Sequence, residues 1–334
     1  MLLSHQSFEA WTGRIDSRED FDAFRWHQWI QRITLNELEM NDVKEDESFK
    51  IAFVGFACDL GIVKNKGRMG AAKGPLAIRK ALANLPCHFS KKVRLYDVGD
   101  IIVSSSKLEE AQLCLAKVIE KIVANGFFPI VLGGGHELAF GHYQGLCKSY
   151  DFPSIINLDA HFDMRPYADG RSSGTMFRQI ADQCHHTCKP FQYMAVGIQK
   201  RGNTMALFKT VKALGGEYIL AEAINQRLTR ESLAPLEAYI RKSRHIYLTL
   251  CTDVIASAFA SGVSAPQPLG LSPEDVIAML KTIIQSGKVV GFDIAEVSPW
   301  HDRDNTTAIL ASTLIFAVVN ALAQLNGVEH PYII

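Results

Sequence analysis

From Ile51 onward the chain alternates between short β-branched apolar runs and longer stretches whose apolar residues recur at helical spacing. Ile51–Phe56, Val93–Val98, Phe128–Leu132, Ser154–Leu158, Phe191–Val196, Tyr218–Leu220, His245–Leu250 and Val289–Ile294 read as strands, about eight in all. Pro75–Leu85, Glu109–Ala124, Glu137–Ser149, Asn203–Leu214, Ser272–Gln285 and Asn305–Leu325 read as helices, the first opening on a proline that an initial turn accepts. The strand runs are continuously apolar, as in strands covered on both faces, and parallel neighbours need crossover helices. The pattern therefore predicts an α/β fold with a mainly parallel sheet covered by helices. A closed barrel alternates in the same way, and periodicity alone does not separate it from an open sheet. Residues 1–48 are polar and rich in Trp, Arg, Asp and Glu, and read as an N-terminal extension of loop and helix packed on the same domain. No Gly/Pro/Ser-rich linker or repeat interrupts 49–334, which reads as a single domain.

Composition narrows the classes of function. With 334 residues, 48% hydrophobic and 21% charged, the chain can bury a large core, which excludes disorder as its main state. Thirty-five basic residues balance 35 acidic ones and no basic patch stands out, so neither a nucleic-acid nor a membrane partner is expected. Seven cysteines, an odd number scattered through apolar contexts, suit a reducing compartment better than a disulfide framework. Met1–Arg14 lacks the basic start and apolar stretch of a secretory signal. The most apolar segment, Ala308–Ala323, is interrupted by Ser312, Thr313 and Asn320 and falls short of the roughly 20 residues that span a bilayer. A soluble cytoplasmic protein is the expectation.

Open parallel sheets bind ligands at the carboxyl ends of their strands, so the residues just beyond each strand are where chemistry is expected. After Phe128–Leu132 comes Gly133-Gly134-Gly135-His136-Glu137, a sharp glycine turn that delivers a histidine. A bystander histidine accounts for it equally well, and it lacks the spacing and the lysine of a phosphate loop. After Ser154–Leu158 comes Asp159-Ala160-His161-Phe162-Asp163, whose polar residues at i, i+2 and i+4 leave one face of an extended chain. Two carboxylates and an imidazole held together at an apolar strand end repel and desolvate one another unless a cation lies between them. After His245–Leu250 comes Cys251-Thr252-Asp253, unremarkable alone, and after Val289–Phe292 comes Asp293-Ile294-Ala295-Glu296-Val297-Ser298-Pro299, where a lone Glu296 is usually surface. Jointly, His136, Asp159, His161, Asp163, Cys251 and Asp253 form a ligand set too large for one ordinary ion. Two metals about 3.5–4 Å apart would use them all, and Mn²⁺ best suits imidazole with carboxylate.

These segments resemble the ureohydrolase (arginase/agmatinase) superfamily over roughly residues 50–325, with its Gly-Gly-x-His, Asp-Ala-His-x-Asp, Asp-x-Asp and Glu-Val-x-Pro motifs in family order. The formimidoylglutamase branch is the most similar. Asp159–Tyr167, Ser173–Gln179, Gly197-Ile198-Gln199 with Asn203-Thr204, Gly262–Pro266, Asn65–Ala71 with Gly74-Pro75, and Trp11–Arg14 carry that likeness. The resemblance implies a three-layer αβα sandwich of the arginase/deacetylase kind, commonly assembled as homo-oligomers, and hydrolysis of a C–N bond in a linear amidine. It implies that His136, Asp159, His161, Asp163 and Asp253 ligate two manganese ions per chain, with Asp159 bridging. Cys251 stands where the family's first Asp of Asp-x-Asp is a ligand; a soft thiolate suits hard Mn²⁺ poorly, so that ion is weakened, replaced by Zn²⁺ or absent, or the thiol is a bystander. Arginase-like members carry a proton-transferring histidine where this chain has Phe177, which argues against arginase itself.

The reaction implied is N-formimidoyl-L-glutamate plus water to L-glutamate and formamide, a step of histidine degradation. Glu296 then holds the cationic amidine, Asp163 passes a proton to the departing amine, and arginines receive the two substrate carboxylates. Arg68, Arg165 and Arg178 are available, Arg178 being preferred because it follows the missing histidine; Asn65 is a further substrate-binding candidate. The alternatives are a guanidino hydrolase of the arginase, agmatinase or guanidinobutyrase type that releases urea, and a metal-poor non-catalytic relative. Cys184-His185-His186-Thr187-Cys188 offers zinc ligands but lacks a partner pair and reads as an incidental loop. His5, His27 and His142 read as ordinary helix or loop histidines.

Overall fold

The computed structural model describes residues 3–40, 48–102, 107–226 and 229–332. Its strands are β1 (Leu3–Ser4), β2 (Gln31–Arg32), β3 (Phe49–Ala57), β4 (Val93–Ile102), β5 (Phe128–Leu132), β6 (Ser154–Leu158), β7 (Tyr193–Ile198), β8 (Glu217–Leu220), β9 (Ile246–Cys251) and β10 (Val289–Ala295). They form one open sheet in the order β1-β4-β3-β5-β10-β9-β6-β7-β8, with β2 also paired to β4. Every pairing is parallel except that of β1 with β4. The open sheet removes the barrel alternative. The eight strands expected from the apolar runs are all present; the two additional ones are two-residue strands of the N-terminal extension, too short to leave a pattern.

Successive residues of a strand face opposite sides, and here both sides are covered. Ile51 and Phe53 of β3 join one core with Ile78, Met279 and Leu314, from helices Gly74–Leu82, Pro273–Gln285 and Thr306–Leu325. Ala52, Val54 and Phe56 join a second core with Leu115, Leu138 and Ile180, from helices Leu108–Ala124, Leu138–Leu146 and Met176–His186. That is a three-layer αβα sandwich, and it explains why the strands read as unbroken apolar runs. Each fully buried Leu, Ile, Val or Phe contributes about 1.5–3 kcal/mol. Helix Thr306–Leu325 spans 20 residues, with mean hydropathy 2.0 over its most apolar window, so its length alone would cross a membrane. The helix matches the Asn305–Leu325 read from sequence, though its apolar segment, taken there as Ala308–Ala323, is long enough to span; burial of 61% of that window makes it a core helix.

Two tryptophans of the N-terminal residues, Trp11 and Trp26, touch the sheet and its neighbours. Trp26 is fully buried against Phe53, Phe89 and Phe316, and Trp11 Nε1 donates to Asp97 Oδ2 at 2.6 Å. The same Asp97 accepts Arg79 Nε at 2.7 Å, and Arg79 Nη1 donates to Asp100 Oδ1 at 2.5 Å. Gly55 lies against this cluster: a Cβ there would come within 1.8 Å of Asp100 Oδ1, so only glycine lets β3 pass.

Candidate metal centre

The four central strands lie side by side as β5-β10-β9-β6, and their carboxyl ends converge. His136 leaves β5 through a turn locked on both flanks: Gly135 N–H donates to Cys58 O at 2.9 Å, and Glu296 N–H donates to Gly134 O at 2.8 Å. A Cβ on Gly134 would meet Cys58 O at 2.0 Å and Phe56 O at 2.6 Å, which is why the turn carries no side chain there.

His136 Nδ1 lies 3.1 Å from both Asp159 Oδ2 and Asp163 Oδ2. His161 Nδ1 lies 3.1 Å from Asp253 Oδ2 and 3.6 Å from Asp159 Oδ1. Among the described residues two triads present donor atoms within 4.8 Å of one another: His136, Asp159 and Cys251, and Asp159, His161 and Asp253. Asp159 belongs to both. Asp163 flanks the first triad rather than following an extended chain: its φ is +48°, and Glu296 has φ +69°, conformations that cost about 1–3 kcal/mol and recur at functional sites. Asp253 occupies a one-turn 3₁₀ segment, Thr252–Val254. Asn203 clamps the loop between Asp159 and Asp163, its Oδ1 accepting from Phe162 N–H at 3.0 Å and its Nδ2 donating to Ala160 O at 2.9 Å.

The electrostatics are those of a cluster lacking positive charge. Burial opposes ionisation of Asp159, but hydrogen bonds from His136 and His161 outweigh it and hold the carboxyl well below the usual range. Burial, then the charge of Asp159, raises Asp163 to about 6. Burial also works against charge on His136 and His161, yet Asp159 and Asp163 raise the first, and Asp253 and Asp159 the second, well above an ordinary histidine. Glu296 is pushed up by burial and by Glu137; the Cys251 thiol by burial and the surrounding carboxylates. Asp253 Oδ1 and Glu296 Oε2 are buried without a hydrogen-bond partner. Orphaned oxygens beside imidazoles that hold extra protons are what a cation-binding donor set shows when protons substitute for the cation. The oxygen and nitrogen donors therefore fit divalent manganese, with the soft Cys251 as the exception.

The centre is the floor of a cavity of about 300 Å³, whose lining includes Asn65, Arg68, Arg165, Ser264 and Glu296. Arg68 is fixed at the rim, Nε donating to Ser264 O at 3.0 Å and Nη2 to Val263 O at 2.5 Å. Arg178, the arginine preferred from sequence, does not line this cavity: it pairs with Asp182 at 3.1 Å on the same helix. Phe177, one residue earlier, is fully buried and packs edge-on against the His136 ring at 5.7 Å between centroids. The Cys184–Cys188 segment is a helix end rather than a loop and belongs to neither triad. Sequence reasoning gave no role to Glu137, buried beside Glu296, or to Thr249, Tyr247 and Asp293, and read His142 as an ordinary helix or loop histidine; the last four are buried behind His136. Their signal was an isolated polar residue within an apolar run.

The chain belongs to the arginase family, whose sequence profile matches residues 49–320. The formimidoylglutamase of Clostridium tetani is 49% identical over 96% of this chain and 96% of its own length. The crystal structure of Trypanosoma cruzi formiminoglutamase with manganese aligns at TM-score 0.74 and 27% identity, covering 87% of this chain and 98% of that one. The formimidoylglutamase structure from Bacillus subtilis shares the fold at TM-score 0.78 and 21% identity, over 92% of this chain and 94% of that one.

Proposed function

We propose that the chain hydrolyses N-formimidoyl-L-glutamate to L-glutamate and formamide, the activity named for relatives such as that of Clostridium tetani. The observation that supports this reading best is one cavity joining an acid-rich floor to a guanidinium-lined rim. His136, Asp159, Asp163 and Cys251 would hold one manganese ion, and Asp159, His161 and Asp253 the other. Bound manganese supplies Lewis-acid charge and makes water nucleophilic near neutral pH. Glu296 Oε2, buried and without a partner, is available to accept an N–H of the amidine and orient its carbon. Asp163, lining the cavity beside His136, is placed to take the proton that the attacking water loses and pass it to the departing glutamate nitrogen. The substrate's two carboxylates call for cations at the mouth, where Arg165 and Arg68 stand with Asn65 beside them; planar guanidinium suits bidentate capture.

Turnover with separate detection of formamide and urea tests the reading. Formamide and glutamate from formimidoylglutamate are expected; urea from arginine, agmatine or guanidinobutyrate would replace this reading with a guanidino hydrolase. The finer proposals are that Cys251 weakens one ion or favours Zn²⁺ there, that the enzyme is a cytoplasmic homo-oligomer, and that residues 1–48 pack on the domain formed by 49–334. Metal analysis of wild type and Cys251→Asp, and light scattering, address the first two. Fewer than two manganese ions per chain in wild type and two in the variant would support the role given to Cys251.

A further inference from the structure

Behind His136 lies a fully buried chain of polar groups that the proposed reaction does not use. Strands β9 and β10 pair with Thr249 opposite Asp293 and Tyr247 opposite Gly291. Thr249 Oγ1 donates to Asp293 Oδ1 at 2.5 Å. Tyr247 Oη donates to Asp293 Oδ2 at 2.6 Å, and His142 Nδ1 lies 2.6 Å from the same oxygen. On the other side, His136 Nε2 lies 2.9 Å from Thr249 Oγ1.

A threonine hydroxyl has a single proton to give. Thr249 gives it to Asp293, so toward His136 it can only accept, and Nε2 must carry the hydrogen. The Nδ1 lone pair is then the one available to a cation, on the side facing Asp159 and Asp163. We propose that Asp293, acting through Thr249 and held by Tyr247 and His142, is a positioning residue that sets the tautomer and ring orientation of His136 for metal binding. This rests on the reading that His136 is a manganese ligand. Outer groups of this kind orient a ligand histidine and increase its basicity, and their loss typically costs about 10–100-fold in metal affinity.

Thr249→Val keeps the side-chain shape and removes the hydroxyl; Thr249→Ser restores it. Manganese titration by calorimetry, electron paramagnetic resonance of the loaded protein and melting of the metal-free protein are measured together. The expected result is about 10–100-fold weaker binding of the ion at His136 in Thr249→Val, whose contribution to the resonance signal then appears only at correspondingly higher manganese than in wild type, and recovery in Thr249→Ser. Asp293→Asn weakens the same ion. Equal affinity in wild type and Thr249→Val, with only a lower melting temperature, would overturn the proposal while leaving the metal centre intact. A wild-type chain that takes up no manganese would overturn the reading of the centre, and this inference with it.

Discussion

Two of the buried charge clusters in this sheet, around Arg79 and around Asp159, are built on opposite plans. Around Arg79 the charges are closed upon themselves: Asp97 Oδ1 accepts Arg79 Nη2 and Gly99 N–H, each at 2.9 Å, while its Oδ2 accepts Arg79 Nε and Trp11 Nε1. At the ends of β5, β6, β9 and β10 the donors are left open: Asp253 Oδ1 and Glu296 Oε2 are buried and find no partner. A guanidinium with fixed donors completes the first cluster and makes it structural. The second is incomplete as protein alone, and that incompleteness is what a bound cation and substrate would satisfy.

The largest effect that would break this contrast is on the open cluster. Asp159→Asn is expected to lower turnover by at least about 1000-fold and to reduce manganese uptake with little change in folding, because several kcal/mol of charge stabilisation depend on that ion pair. Full activity in that variant would remove Asp159 from the centre. Next comes the closed cluster: Arg79→Met strands buried carboxylates and should cost about 3–5 kcal/mol of stability, measured by denaturant unfolding, while metal stoichiometry in the folded fraction is unchanged. At the rim, Arg165→Ala is expected to raise KM for formimidoylglutamate about 10–100-fold, the equivalent of about 1.5–3 kcal/mol for a charged hydrogen bond. Arg178→Ala, which removes only a partly exposed helix pair, should leave KM within about twofold. The reverse ranking would return substrate recognition to Arg178.

The smallest effect is the most diagnostic. In the metal-free protein Asp163 rises from 3.8 to about 6 and Glu137, mainly through burial, from 4.5 to about 7. The folded state then binds more protons than the unfolded chain between about pH 4 and 7, so these groups stabilise it below that window and their contribution is lost as pH rises through it. Metal-free melting temperature should therefore decline across that range. Added manganese, which competes with protons for the same donors, should stabilise progressively more as pH rises. Thermal scans with chelator and with manganese measure both slopes, and a manganese effect independent of pH would contradict the shared donors.

The sheet was legible because each central strand is covered on both faces, so the apolar runs were unbroken. Helix Arg230–Lys242 was not legible: Pro235 interrupts it and its apolar face is narrow. Helix Met176–His186 was hidden by a polar, histidine-rich end. The ligand candidates could be read because polar residues at alternate positions after apolar strands are conspicuous. The arginine at the mouth was misassigned for a geometric reason. Consecutive helical residues point about 100° apart, so with Phe177 turned inward, Arg178 is carried round to the outer face. Thr249 and Asp293 escaped notice because one polar residue in a buried strand has no periodic signature, and only the cross-strand register reveals what it bonds.

The turn after β5 has a consequence for how such an enzyme can diversify. Position 134 is held by the carbonyls of Cys58 and Phe56, so any residue with a Cβ would displace the turn that carries His136, whereas Arg68 and Arg165 occupy exposed loops with room to vary. Changes of substrate should therefore arise at the periphery, through drift in those loops, while the reactive heart stays fixed by a place where no side chain fits.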